Sequence, residues 1–138
     1  MIDIENRVFT MVYNAIMDSP YSNAYVDSEI ANVPPRFPAV YVIQTDSFEP
    51  RNARSSSRVE LFNHVTFDIE VYSNKASGKK SEAKAIMKII DDVMRFDGFR
   101  RTDLNFVDLT ETTNNTVVAR LLSRYTAEVD STGRIYSA

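Results

Sequence analysis

The 138-residue chain contains no cysteine and a single histidine. Without cysteine, disulfide bonds, thiolate metal sites and cysteine nucleophiles are excluded together, and the composition suits synthesis in a reducing cytoplasm. A zinc site normally needs several convergent ligands, which His64 beside Asp68 and Glu70 at strand spacing does not supply. We therefore expect His64 to be a surface or interface residue, and we expect neither a metal nor another cofactor.

The sequence also lacks a surplus of positive charge and a long hydrophobic run. Its formal net charge of -3 gives no general reason to expect binding to nucleic acid or to an anionic membrane. No apolar stretch approaches the ~18–20 residues that span a bilayer, and no basic segment followed by an apolar run suggests a secretory signal. The expectation is one domain over residues 1–138, without membrane contact, and with a core that needs no metal or crosslink.

The stretch from Phe62 to Phe96 organises the pattern of the chain. Apolar residues alternate with polar ones through Tyr72, which predicts a strand with one face on a core. Turn-forming residues follow from Ser73 to Gly78. From Ser81 the period changes to 3.6, which predicts an amphipathic helix with Asp91 and Asp92 on its solvent-facing side.

Other patterns predict the remaining elements. A helix from about Asp3 to Met17 opens the chain. Leu104 to Leu109 reads as a strand whose alternation slips after Phe106, which indicates a bulge or a bend. Asn114-Asn115 is a turn signal. Further strands are predicted at Tyr25-Val26, at Ala39–Thr45 (covered on both faces), at Val117–Val129 (odd-numbered residues on one face) and at Arg134–Tyr136.

This order predicts an α+β fold, with a mainly antiparallel sheet, two amphipathic helices packed on one face, and a long hairpin loop from Ser47 to Glu60. Seven apolar or aromatic residues are predicted to pack together between sheet and helices. They are Phe67, Ile69, Val71, Ile86, Ile90, Leu121 and Tyr125.

Basic residues supply the clearest hints of function. Arg51, Arg54 and Arg58 lie in the predicted hairpin loop, which is either a solvated tip or an arm that becomes ordered when it docks on a partner. The loop lacks the interleaved aromatic residues that stack on nucleic-acid bases. Arg120 and Arg124 share one face of the last long strand, which suits a protein–protein contact or an ordinary exposed face with paired charges.

Lys79 and Lys80 lie between a predicted strand and a predicted helix, where a phosphate-binding loop belongs. The pattern departs from that motif because Ser73 replaces the first glycine and Lys80 replaces the magnesium-binding Ser or Thr. The two lysines therefore belong either to a solvated turn or to a contact point for a phosphate or an acidic partner. No catalytic constellation is recognisable.

The combination resembles the tail-terminator, or tail-completion, proteins of long-tailed bacteriophages, a group that includes minor capsid and head–tail joining proteins. Three segments carry the resemblance together with the order of elements: Phe67–Lys75 with Gly78, Asp91–Met94 in the helix, and Arg124–Asp130 followed by Gly133 and Ile135-Tyr136. It extends over nearly the whole chain.

The resemblance implies a structural protein of the virion tail or neck, assembled in the bacterial host cytoplasm and not an enzyme. Its partners would be further copies of itself in a hexameric ring, the tail tube protein and head–tail connector proteins, with DNA only passing through the ring. It also implies that the Ser47–Glu60 loop contacts a neighbour or the tube. Two alternatives remain: another neck or head-completion protein, and a small phosphate- or nucleotide-binding enzyme that uses Lys79 and Lys80.

Overall fold

The computed structural model describes residues 2–29, 34–48, 62–111 and 116–137, of which residues 107–111, 116 and 137 are described by their backbone alone. Two helices and six strands occur in these ranges. In chain order they are α1 (Glu5–Met17), β1 (Tyr25–Asp27), β2 (Ala39–Phe48), β3 (Phe62–Ser73), α2 (Lys79–Phe96), β4 (Arg100–Glu111), β5 (Thr116–Asp130) and β6 (Ile135–Ser137).

The strands form one sheet in the order β1-β2-β3-β5-β4, and β6 pairs with the end of β5. Every pairing is antiparallel except that of β1 with β2. The predicted α+β class with a mainly antiparallel sheet is therefore confirmed, and so is the hairpin relation of β2 to β3. Neither described helix has the length and apolar character needed to cross a membrane.

Helix α1 begins two residues later than predicted. The carboxylate of Asp3 accepts a hydrogen bond from the backbone N–H of Glu5 at 3.1 Å, so Asp3 precedes the helix instead of lying in its first turn. Val8, Val12 and Ile16 form the buried stripe. The helix ends at Met17, three residues before Pro20.

Helix α2 begins earlier than predicted, and Lys79 and Lys80 are its first two residues rather than part of a turn. Gly78 precedes the helix with a φ of 84°, a conformation that glycine adopts without a Cβ penalty. Ser73, predicted to open the turn, is the last residue of β3. It is buried, and its hydroxyl donates a 2.7 Å hydrogen bond to Glu82 in the first turn of α2.

Strand β5 keeps the predicted alternation from Ala119 to Val129, where odd-numbered residues are buried. Val117 is an exception because 42% of its surface is exposed, whereas Val118 is buried. Ser73 is the last β3 residue to pair with β5, opposite Ala119. Val117 therefore lies beyond the end of β3, in the part of β5 that pairs only with β4.

Two further predictions are corrected. The irregularity of β4 lies between Arg101 and Asp103, whereas the pairing after Phe106 is regular. Strand β2 continues through Phe48 after a register shift between Gln44 and Asp46, so the loop predicted from Ser47 starts later. The rest of that loop, with Arg51, Arg54 and Arg58, and the turn predicted at Asn114-Asn115 lie outside the described residues.

The hydrophobic core lies between the helices and one face of the sheet. All seven residues predicted for it are buried there. Both helices contribute their apolar stripes to the same cluster on one face of the sheet, as predicted. The two helices also contact each other. The sheet contributes alternate residues of β2, β3 and β5, so the intervening residues of these strands point to the opposite face.

Candidate protein-binding face of the sheet

The side of the sheet opposite α1 and α2 is called the open face here. Neither described helix packs against it, because both contribute to the core on the other side. Its central residues are His64, Thr66, Asp68, Glu70 and Tyr72 on β3, and Val118, Arg120, Leu122, Arg124, Thr126 and Glu128 on β5. The predicted alternation of both strands places these residues on one side.

Arg124 and Asp68 are opposite each other in the pairing of β3 with β5. The guanidinium donates from Nε to Oδ1 at 2.8 Å and from Nη2 to Oδ2 at 3.0 Å, a bidentate arrangement. This hydrogen bonding and the negative charge of Asp68 raise the pKa of Arg124. The Arg124 side chain is 47% exposed, so its guanidinium is still accessible to a partner.

Arg120 forms a more deeply buried pair with Glu70, whose side chain is only 5% exposed. Arg120 donates to Oε1 of Glu70 from Nε at 2.8 Å and also from Nη2. Burial alone would lower the pKa of Arg120, but the hydrogen bond and charge of Glu70 together raise it. Two arginine–carboxylate pairs thus cross from β3 to β5 side by side.

Aromatic rings extend this face on both sides of the ion pairs. Tyr41 has no exposed surface and lies edge-on to Tyr25 and to the half-buried Tyr72, with ring centroids 6.1 and 5.7 Å away. Burial is the main reason that the pKa of Tyr72 is raised. Toward the other end of β3, the rings of Phe48 and His64 are 4.9 Å apart. His64 is half-buried on this face.

Lys79 and Lys80 do not join Arg120 and Arg124 in one site. The Lys80 ammonium lies 4.7 Å from the ring centroid of Phe106, which pairs with the core residue Leu121 and is therefore on the helix side of the sheet. The Glu82 carboxylate, held by Ser73, also lies in the first turn of α2. Its negative charge is placed where a phosphate at this helix N-terminus would be repelled.

Asp91 was predicted to face solvent, and this prediction is wrong. Its side chain is only 17% exposed. It accepts hydrogen bonds from the hydroxyl of Tyr125 at 2.8 Å, from Nε of Arg95 at 2.9 Å and from Nη1 of Arg101 at 3.3 Å. Asp91 thus links α2 to β4 and β5, and only its neighbour Asp92 is exposed as predicted.

We expect Tyr125→Phe to lower the free energy of unfolding by about 1 kcal/mol at pH 7, because Asp91 loses a hydrogen-bond donor. Burial raises the pKa of Tyr125 above its ordinary value of about 10. The neutral Tyr125 hydroxyl therefore contributes fully to the free energy of unfolding below pH ~10, where it is protonated in both the folded and the unfolded state. This contribution is lost as the pH rises from ~10 toward the higher pKa of the folded state. Denaturant titrations should show that the difference in free energy of unfolding between wild type and Tyr125→Phe becomes smaller above pH ~10.

Tyr136→Phe is the matched control, because it removes a hydroxyl that donates to Asp130 at an exposed position. Its effect on the free energy of unfolding at pH 7 should be smaller, because the lost hydrogen bond lies at the surface. If the loss of stability in Tyr125→Phe stays constant from pH 7 to alkaline pH, the stabilising contribution of Tyr125 does not depend on its protonation, which would contradict this account.

Sequence patterns did not reveal which side chains meet across strands. The alternation put Glu70 and Arg120 on polar faces, but nothing local to either strand shows that β3 and β5 are neighbours. The described residues contain no group of three or more His, Asp or Glu side chains placed to hold a metal ion. Comparison with protein-family models and with curated proteins finds no match to this chain.

Proposed function

We propose that the chain is a structural subunit of a bacteriophage tail, which closes into a ring on the end of the tail tube, stops tube growth and forms the surface that joins the head. The observation that supports this function best is the open face, with its paired arginines and aromatic rings. We assign this face to contact with the tail tube protein.

The open face has the physical properties of a docking surface. Its long side chains are already held by cross-strand pairs, so binding would cost little additional conformational entropy. Arginine and tyrosine are enriched at protein interfaces because they combine apolar area with directional hydrogen bonds. Arg124 contributes an accessible guanidinium to this surface, and the rings of Tyr72 and Phe48 contribute apolar area.

The order of elements also agrees with the family resemblance drawn from the sequence. Two helices cover one face of a mainly antiparallel sheet, and β2 and β3 are consecutive antiparallel strands separated by the basic segment with Arg51, Arg54 and Arg58. In the proposed ring that segment remains a candidate arm toward a neighbour or the tube. Glu70 and Asp91 are already paired within their own chain, so neither is a free acidic acceptor for that segment.

The assignment of the open face predicts that exchanging one ion pair will block binding to the tube. A variant with Asp68→Arg and Arg124→Asp keeps opposite charges across β3 and β5, so it should stay folded. It reverses the charge pattern shown to a partner, and like charges brought together at an interface cost several kcal/mol. Cosedimentation with purified tail tubes should show binding weakened by more than about tenfold.

Asp18→Lys changes an exposed charge at the end of α1, away from the open face, and should bind tubes like the wild type. Circular dichroism and thermal melting establish that both variants are folded. Full binding by the charge-exchanged variant would show that the open face is not the tube contact.

A further inference from the structure

Phe96 is unusual among the apolar side chains of the described chain because 96% of its surface is exposed. It is the last residue of α2, and Asp92 lies four residues earlier on the same side of the helix, also exposed. A phenyl ring held on a helix end, with a carboxylate one turn away, forms a small protruding patch that combines apolar area with negative charge.

A groove of complementary character lies between α2 and β4. Its volume is about 180 Å³, and apolar side chains of Met87, Leu104 and Leu121 line it. Leu104 is 47% exposed at its edge. A cavity of about 150 Å³ with apolar walls is large enough to hold a benzene ring, so the groove can accept a phenyl side chain.

The charged rim of the groove selects for a negative partner. Lys84 and Lys88 line it and are exposed, and neither forms an ion pair with any described residue. The other two charged residues that line the groove, Arg101 and Asp91, pair with each other at 3.3 Å. The groove therefore presents two unpaired positive charges around an apolar floor, which matches the charge and shape of the patch formed by Phe96 and Asp92.

We propose that Phe96 of one copy of the chain inserts into the groove between α2 and β4 of a second copy, with Asp92 facing Lys84 and Lys88 of that copy. The patch and the rim of the groove adjoin along α2, where Lys84, Lys88, Asp92 and Phe96 follow one another at four-residue spacing. Insertion of each Phe96 into a different neighbour continues from one subunit to the next and can close into a ring, whereas reciprocal insertion ends at a dimer. The contact between Phe96 and the groove does not depend on the proposed tail function. Only the closure of successive contacts into a ring rests on that function.

Cysteine crosslinking tests the contact directly, because the chain has no native cysteine. Arg95→Cys, at the exposed position beside Phe96, and Leu104→Cys are combined in one full-length chain that keeps Phe96. The chain is treated with a short bismaleimide, both at high protein concentration and on tails. Intersubunit products should form with the double variant, whereas either single variant should give almost none. A companion variant, Phe96→Ser, should weaken self-association at least tenfold in sedimentation equilibrium while its thermal melting stays unchanged.

The number of subunits in the crosslinked products tests the Phe96 contact and the proposed ring separately. A ladder up to the hexamer supports both. Dimers alone would confirm insertion of Phe96 but contradict ring closure, because reciprocal contacts end at two subunits. Absence of crosslinks on tails that carry the chain and have normal length would overturn the contact and leave the tail function intact. Phe96→Ser chains that associate like the wild type would also overturn it.

Discussion

Ile90→Ala should lower the free energy of unfolding by about 2–5 kcal/mol. Ile90 has no exposed surface and lies in the middle of the buried stripe of α2, within the cluster that joins both helices to the sheet. The substitution removes buried methyl groups and leaves a cavity that the surrounding strands cannot fill without moving. Chemical denaturation monitored by circular dichroism measures the change.

Ile89→Ala is the matched control, because it removes the same atoms one position away, where the side chain is only half-buried. Its loss of stability should be clearly smaller, since part of that side chain is already in water. A loss below ~1 kcal/mol for Ile90→Ala would contradict the placement of the helix stripe against the sheet.

Arg120→Met should destabilise the fold by about 3 kcal/mol, near the lower end of the range for breaking a buried ion pair. The substitution keeps most of the apolar stem but leaves the Glu70 carboxylate, which is almost completely buried, without its positive partner. Among the described residues, Oε2 of Glu70 has no hydrogen-bond partner to compensate. Arg124→Met should cost much less, because that pair is more exposed and its carboxylate can be hydrated.

The double variant with Arg120→Met and Glu70→Gln completes a thermodynamic cycle for this pair. It removes the buried charge together with its partner, so it should recover a large part of the stability lost in Arg120→Met. Additive effects of the two substitutions would contradict a direct energetic coupling between Arg120 and Glu70.

The sequence allowed the fold to be predicted where local periodicity is strong. The alternation in β3 and the 3.6-residue stripe in α2 predicted Phe67, Ile69 and Ile90 as core residues, because the faces that they occupy are determined by position along the strand or helix alone. Element boundaries were less accurate. The start of α2 at Lys79 depends on the positive φ of Gly78 and on the hydrogen bond from Ser73 to Glu82, which are not visible as a hydrophobic pattern.

The candidate surfaces were predicted only in part. Arg120 and Arg124 were recognised as members of one strand face, but their pairing with Glu70 and Asp68 depends on β3 and β5 being neighbours. Asp91 looked like a solvent-facing residue because its helical position borders the polar side. It is drawn into a contact only because Tyr125 and Arg101 approach from β5 and β4.

The most direct test of the proposed function is the length of tails made without this chain. Deletion of its coding sequence from a phage that carries it, followed by negative-stain electron microscopy of the lysate, should reveal tubes of uncontrolled length that are not joined to heads. A plasmid copy of the gene should restore uniform tails and infectious particles. Uniform tails lying beside separate heads would instead indicate a head-completion protein, and normal infectious particles after the deletion would contradict a role in tail assembly altogether.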